Sequence, residues 1–355
     1  MLRTSTLLSR GAVSTLPRSL SACLLSTSFS DSQWKSPSRS RGAKPTRWGP
    51  PRGREGGRGG GRGDGRWRDN ERPPLTRTND GKDVPQLAGD GVYGIHSVLQ
   101  ALESGHRDAH ALYVREERAP MDGQRPKKKN PADVRALERI RELAQSKDVE
   151  IHSTSKWMLN HITGDKPHQG VVLDAAPIQL KEFVPAEPSV FTESERSPVI
   201  LVLDEIHDPQ NFGAILRSAH FLGCSAVVVS DRNTAPLSPA VSRASVGALE
   251  VMVANDKLMK ARNLHEMLAI SGDLGWRVVG ASSGPNSITS TKLSADGQPT
   301  ILVMGNEHRG LRKGIRQCCQ DIVIIPGQAT DEDTRVDSLN VSVASAILLY
   351  ELLHH

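Results

Sequence analysis

Apolar residues in the first third of this 355-residue chain are scattered, whereas beyond it they recur in short runs and at helical spacings. From Gly91 to Leu102, the residues Val98, Leu99 and Leu102 make a short helical stripe, and Ala111–Val114 reads as a strand. Val134, Leu137, Ile140 and Leu143 then recur at three- and four-residue intervals and predict a helix over about 131–145. A short strand near 149–152, a helix containing Trp157, Met158 and Leu159, and a turn and strand over 168–173 complete a small α/β unit. Pro185, Pro188 and Glu193 mark 183–197 as a linker. Beyond it, strands are expected at 199–203, 226–229, 251–253, 278–279, 301–303 and 322–325. Helices are expected at about 209–222, 239–246, 258–270 and 311–319, and at the chain end. Apolar strands separated by helices imply an α/β fold with a parallel sheet covered on both faces. The last helix, with Val341, Val343, Ala344, Ala346, Ile347, Leu348 and Leu349, is apolar nearly all round and is expected to be buried.

Charge changes this picture at the amino end. The formal net charge of +5 sits largely in the first third, where arginine is abundant, and it points to an anionic partner, foremost a nucleic acid, with no membrane partner expected. Residues 31–89 are rich in Pro, Gly and Arg, and their centre at 51–62 cannot bury enough apolar surface to offset its ordering entropy, so disorder is expected. Arginines spaced by glycines near Trp48 and Trp67 suit phosphate contact and base stacking, and equally a solvated linker. Residues 1–30 carry Arg3, Arg10 and Arg18, many Ser, Thr and Leu, and no acid before Asp31. That composition resembles a mitochondrial transit peptide, with a plastid address as the alternative. Nothing approaches the roughly 18 apolar residues of a membrane helix. Cys23, Cys224, Cys318 and Cys319 have neither zinc-ligand nor disulfide-framework spacing, so no metal site is expected.

The candidate chemistry lies in turns that follow apolar strands. Asp208 can cap the helix that Pro209 opens, placing Asn211 in its first turn and Arg217 deeper, about 120° apart around the axis. After 301–304, Gly305 would let a ligand approach the backbone, and Glu307 follows beside the carboxyl edge where open α/β sheets bind ligands. The turn after Leu203 has no dinucleotide-binding glycine pattern. Ser338 and Asn340 supply polar side chains ahead of the last helix.

Three segments, Asn211–Arg217, Gly305–Leu311 and Ser338–Ala344, stand in the order and chemistry of an RNA methyltransferase of the SPOUT superfamily, SpoU branch, and the chain resembles that family over about 91–355. The resemblance implies transfer of a methyl group from S-adenosylmethionine to a ribose 2′-oxygen, with Arg217 as the principal catalytic residue and Asn211, Glu307, Ser338 and Asn340 beside it. It implies cofactor contacts at Gly305, at Ile325 before Pro326 and at Leu339. It also implies RNA rather than DNA as the partner, a carboxyl-terminal trefoil knot, a homodimer, and an L30e-like RNA-binding domain at 90–182 ahead of the methyltransferase domain at 198–355.

Arginine is neutral only above about pH 12, so Arg217 suits phosphate and 2′-oxygen positioning, with Glu307 sharing proton acceptance. The leader and the likeness to ribosomal-RNA guanosine methyltransferases favour large-subunit rRNA in the mitochondrial matrix as substrate. A tRNA ribose methyltransferase and a non-catalytic ribosome-assembly factor are the alternatives. Two departures stand out: His308, where the family usually has a second glycine, and an acidic loop with Asp331, Glu332 and Asp333.

Overall fold

The structure, a computed structural model, describes residues 75–77, 83–116, 130–192, 196–284, 286–293, 297–327 and 338–354. The leader at 1–30, the Arg/Gly centre with Trp48 and Trp67, the basic loop at Lys127–Lys129 and the acidic loop at Asp331–Asp333 lie outside the described residues.

Folded structure begins before residue 90. Strands β1 (Leu75–Arg77) and β2 (Asp83–Pro85) pair antiparallel. The N–H groups of Ala88 and Gly89 then donate to the two carboxylate oxygens of the buried Asp174, both at 2.8 Å. The expected disorder through residue 89 is corrected here, because this buried carboxylate needs partners and the preceding segment supplies them.

A four-stranded sheet follows, built from β3 (Asp90–Tyr93), β4 (Ala109–Arg115), β5 (Glu150–Thr154) and β6 (Val171–Ala175) in the order β3-β6-β4-β5. β4 runs parallel to β5 and antiparallel to β6. Helices α1 (Ile95–Ser104) and α2 (Pro131–Ser146) cover one face with Val98, Leu102, Ile140 and Ala144, and α3 (Lys156–Thr163) covers the other with Leu159.

The larger sheet has seven parallel strands: β7 (Val199–Leu203), β8 (Ala226–Ser230), β9 (Leu258–Ala261), β10 (Arg277–Ala281), β11 (Ile288–Thr289), β12 (Thr300–Met304) and β13 (Asp321–Ile324). Their order is β11-β13-β10-β12-β7-β8-β9. Along β7 the side chains divide by parity: Leu201 and Leu203 enter one core, Ile200 and Val202 the other. Burial on both faces is why this strand is a continuous apolar run rather than an alternating one. Helices α4 (Pro209–Leu222) and α9 (Val341–His354) lie over the first core, and α7 (Leu264–Asp273) and α8 (Lys313–Gln317) over the second.

Two sequence expectations fail between β8 and α7. Residues 251–253, expected as a strand, lie inside helix α6 (Ala248–Ala254), which follows α5 (Pro239–Ala244). Leu249 and Met252, three apart, share its buried face, and so short an apolar run carries no periodicity that separates helix from strand. The helix expected from residue 258 starts only at Leu264, where Asn263 accepts from the Glu266 N–H, and Leu258–Ala261 is the edge strand. The start of the expected linker at 183–197 is bonded to its surroundings at Phe183 and Ala186. Phe183 N–H donates to Lys260 O at 2.8 Å, and the Trp276 indole donates to Ala186 O at 2.8 Å.

Helix α1 docks along α5 and α6. A Cβ at Gly94 would stand 2.9 Å from Arg243 Cδ, and Ser97 Oγ donates to Ser242 O at 3.0 Å. At the far end, Arg107 donates through Nε and Nη2 to the two oxygens of Glu250, at 2.9 and 3.1 Å, and Ser242 Oγ donates to the same carboxylate at 2.8 Å. The Glu250 side chain is fully buried and that of Arg107 nearly so. A charge this deep is tolerated only with such a partner set.

Candidate active site

Helix α4 begins as its residues dictate. Asp208 Oδ1 accepts from the Gln210 N–H at 2.9 Å, Pro209 takes the first helical position, and Gly223 ends the helix at φ 84°. Phe212, Ile215, Leu216 and Ala219 form its buried face. Gly213 is required by packing, because its side-chain direction is filled by Ala244 of α5. The first turn of α4 is thereby held against the sheet's carboxyl edge, with Asn211 facing the turn after β12.

That turn closes on itself. Asn306 N–H donates to Gly310 O at 3.1 Å and Gly310 N–H returns to Asn306 O at 2.9 Å, with Gly310 at φ 66°. Gly305 has a structural role that its sequence did not show. A Cβ there would strike the backbone of Gly310 and Leu311, so the missing side chain makes room for the chain's own turn. His308, the departure noted above, is accommodated without backbone strain: it is absent from the positive-φ residues, its side chain is exposed, and its N–H donates to Asn306 Oδ1 at 3.0 Å.

Three of the expected catalytic residues meet. Asn340 Nδ2 donates to Asn211 Oδ1 at 3.0 Å, and Asn211 Nδ2 donates to Glu307 Oε1 at 3.4 Å. Asn340 also caps α9, its Oδ1 accepting from the Ser342 N–H at 2.8 Å and the Ser342 hydroxyl at 2.6 Å. Two amides and a carboxylate from three distant segments thus form one hydrogen-bonded line. Arg217 is not part of it. Its side chain is exposed and makes no hydrogen bond or ion pair among the described residues. Ser338 and Leu339 are exposed beside Asn340, Leu339 at 51%, and Ile325 is half-buried against the first core.

Sequence reasoning missed the buried support beneath this line. The side-chain amide of Asn306, 8% exposed, donates to Glu205 O at 2.9 Å and lies 3.3 Å from His207 Nδ1, tying the turn after β12 to the turn after β7. Arg312 forks onto the buried Asp204 at 2.9 and 2.6 Å, a hydrogen-bonded pairing that raises the guanidinium's affinity for its proton. The available signal was a polar residue close behind each central strand's apolar run, Asp204 directly after β7 and Asn306 two positions after β12. The thiols are inert by contrast: burial pushes those of Cys224 and Cys319 up to about 12.

The small domain's histidines differ. His96 is exposed, whereas His168 is buried, accepting from the Gly170 N–H at 3.0 Å on Nδ1 and contacting Asn160 Oδ1 at 2.9 Å through Nε2. Burial, then Lys156 and Arg115, lower its pKa, as suits a neutral ring that organises a turn.

An all-parallel sheet with polar turns gathered at the carboxyl ends of its central strands belongs to the class of α/β proteins that bind ligands at that edge. Residues 198–350 match the SpoU rRNA Methylase family, and 92–181 match the RNA 2′-O ribose methyltransferase substrate-binding family. The chain is 34% identical over 323 residues to rRNA methyltransferase 1, mitochondrial, of Schizosaccharomyces pombe, covering 79% of this chain and 99% of that one. The human protein of the same name is 31% identical over 299 residues, covering 80% of this chain and 79% of its own. Among solved structures, an RNA 2′-O ribose methyltransferase superposes with a TM-score of 0.55 at 25% identity, over 74% of this chain and 87% of that one. An AdoMet-bound rRNA methyltransferase from Sinorhizobium meliloti shares the fold with a TM-score of 0.56 at 21% identity, over 74% of this chain and 86% of that one. The chain belongs to the SpoU rRNA methylase family and is a methyltransferase.

Proposed function

We propose that this protein transfers a methyl group from S-adenosylmethionine to the 2′-oxygen of a guanosine ribose in mitochondrial large-subunit rRNA. The observation that carries the reading is the line Asn340–Asn211–Glu307, assembled at the sheet's carboxyl edge within a chain that matches mitochondrial rRNA methyltransferases over most of its length. The residues present fit the cofactor. Ile325 and the half-exposed Leu339 offer apolar surface beside the turns after β12 and β13, and the turn from Gly305 lies at the same edge with His308 and Arg309 exposed at its tip. When bound, the cofactor supplies an electrophilic methyl on a sulfonium.

The chain's own residues do the rest. Arg217, exposed and uncommitted to any partner among the described residues, grips a nucleotide phosphate with its guanidinium fork and sets the 2′-hydroxyl. Glu307 accepts the hydroxyl proton, and Asn211, itself held by Asn340, orients that carboxylate. Ser338 contributes a hydroxyl at the rim.

The same reading assigns 90–182 to an L30e-like RNA-binding domain, 183–197 to its linker and 198–355 to the methyltransferase domain, with the chain end threaded as a trefoil knot. Residues 1–30 would address the protein to the mitochondrial matrix. A homodimer is supported by α9: Val341, Ser345, Leu348, Leu349 and Leu353 are buried, but Val343 and Tyr350 are exposed, as is Phe221 of α4 at 86%. The expectation that α9 is buried all round therefore fails for the single chain, and a second subunit would cover the remaining face.

Single-turnover methylation across pH tests the chemistry. Arg217→Ala is expected to lower the rate by about 10²–10³-fold, the usual cost of one preorganised charged donor. Glu307→Gln is expected to lower it by about 10²-fold or more and to flatten the acidic limb of the profile. A Glu307→Gln enzyme with the wild-type rate and profile would remove Glu307 from the proton path.

A further inference from the structure

The two ends of the small sheet differ in charge. At one end, where β3, β4 and β5 finish and β6 starts, stand Arg115 at the close of β4, Lys156 after β5, and Lys166 ahead of β6. All three are exposed and none forms an ion pair among the described residues. Two exposed acids, Glu116 and Asp165, share this end. The other end holds Asp90, Asp108, Glu150 and Asp174, and the buried Arg107 there is consumed by Glu250 and Asp90. Arg115 and Lys156 lie close enough to His168 to depress its proton affinity, and Lys166 Nζ sits 5.9 Å from the Tyr93 ring centroid.

A fourth cation reaches this edge from the methyltransferase domain. Arg243, on α5, lies against Gly94 at the end of β3, close enough to Tyr93 to influence it, and it too has no acidic partner among the described residues. Its neighbour Ala244 is the residue that fills the space above Gly213, two positions along α4 from Asn211. Arg243 thus stands between the basic edge of the small sheet and the helix that carries Asn211 and Arg217.

We propose that Arg115, Lys156, Lys166 and Arg243 form one phosphate-binding track that leads the RNA backbone from the small sheet to α4, with Arg243 as the link between the domains. This rests on the reading that RNA is the substrate. It adds that part of the substrate-binding surface belongs to the methyltransferase domain, because Arg243 lies outside the matched substrate-binding segment at 92–181 and inside the matched methylase segment. Unpaired cations at one edge suit phosphate oxygens, and a contact of this kind positions RNA without reading its bases.

The test is equilibrium binding of an in-vitro transcribed large-subunit rRNA fragment to the full chain over a range of salt. Compared are wild type, the Arg115→Gln/Lys156→Gln/Lys166→Gln/Arg243→Gln variant, and a control with Arg139→Gln and Lys147→Gln, which neutralises cations toward the other end. Each lost phosphate contact flattens the slope of log affinity against log salt by about 0.7–0.9, so the quadruple variant is expected to lose about three units of slope. The control should keep the wild-type slope. Arg243→Gln alone, checked by thermal unfolding for an intact fold, should lose about one unit. A folded quadruple variant with wild-type slope and affinity overturns the track while leaving the methyltransferase reading intact. Wild-type protein that binds S-adenosylmethionine but no RNA overturns both.

Discussion

Two arginines set the buried seam between α1 and α6 against the exposed face of α4. Arg107 is buried, forked onto Glu250 and further bonded to Asp90 and Ala176 O, whereas Arg217 is exposed and bonded to nothing among the described residues. The same side chain therefore does opposite work. In the seam its charge is spent on holding the small domain's α1 region to α6, and on α4 its charge is left available to a ligand. The difference lies in surroundings: a guanidinium removed from water must be fully partnered, while one facing water can wait for a phosphate.

Removing Arg107 should break the comparison most severely. Arg107→Ala leaves Glu250 buried without its main partner and is expected to cost about 3–5 kcal/mol in denaturant unfolding, whereas Arg217→Ala should change stability by less than about 0.5 kcal/mol. Replacing both members of the seam pair, as Arg107→Met with Glu250→Met, should cost less than the single change, because no lone charge remains. Equal destabilisation by Arg107→Ala and Arg217→Ala would erase the distinction.

A smaller effect concerns the exposed side. Arg217 and Phe221, one helical turn apart on α4, share an exposed face that no described residue covers. Phe221→Ser with Val343→Ser should convert a dimer to monomers in sedimentation at micromolar concentration while leaving the monomer's unfolding cooperative. Unaltered sedimentation would mean that the face serves some other purpose.

The smallest expected effect is on pH dependence. His168 and His106 both hold their protons less tightly than an ordinary histidine, chiefly through burial. In the unfolded chain they protonate near pH 6.5, before they do so in the fold. Their contribution to stability is therefore complete above about 6.5 and declines as pH falls through that value toward the lower folded pKa. His168→Gln should shrink the decline in unfolding free energy between neutral and mildly acidic pH, and an identical decline would assign it elsewhere.

Much of this was legible in the residues. The continuous apolar run Val199–Leu203 reads as a strand buried on both faces, and Asp208-Pro209 reads as the opening of a helix, as both prove to be. Asn211, Glu307 and Asn340 were singled out by polar positions beside apolar elements together with the family resemblance, and the fold brings the three into hydrogen-bonded contact. Less legible was the stretch 251–261, where short apolar runs obey neither period well enough to tell α6 from β9. The packing requirement at Gly305 was not legible either, since the collision with Gly310 and Leu311 exists only once the turn has closed.

Sequence by itself determined the class of fold and the identity of the polar turns, because hydrophobic period and capping chemistry act over a few neighbouring residues. Tertiary structure alone decided that Asn306 would tie two turns together, that Arg107 would be consumed by Glu250, and that Arg243 would arrive beside Gly94. Those contacts join residues about a hundred or more positions apart, and their energies appear only when burial withdraws water from both partners.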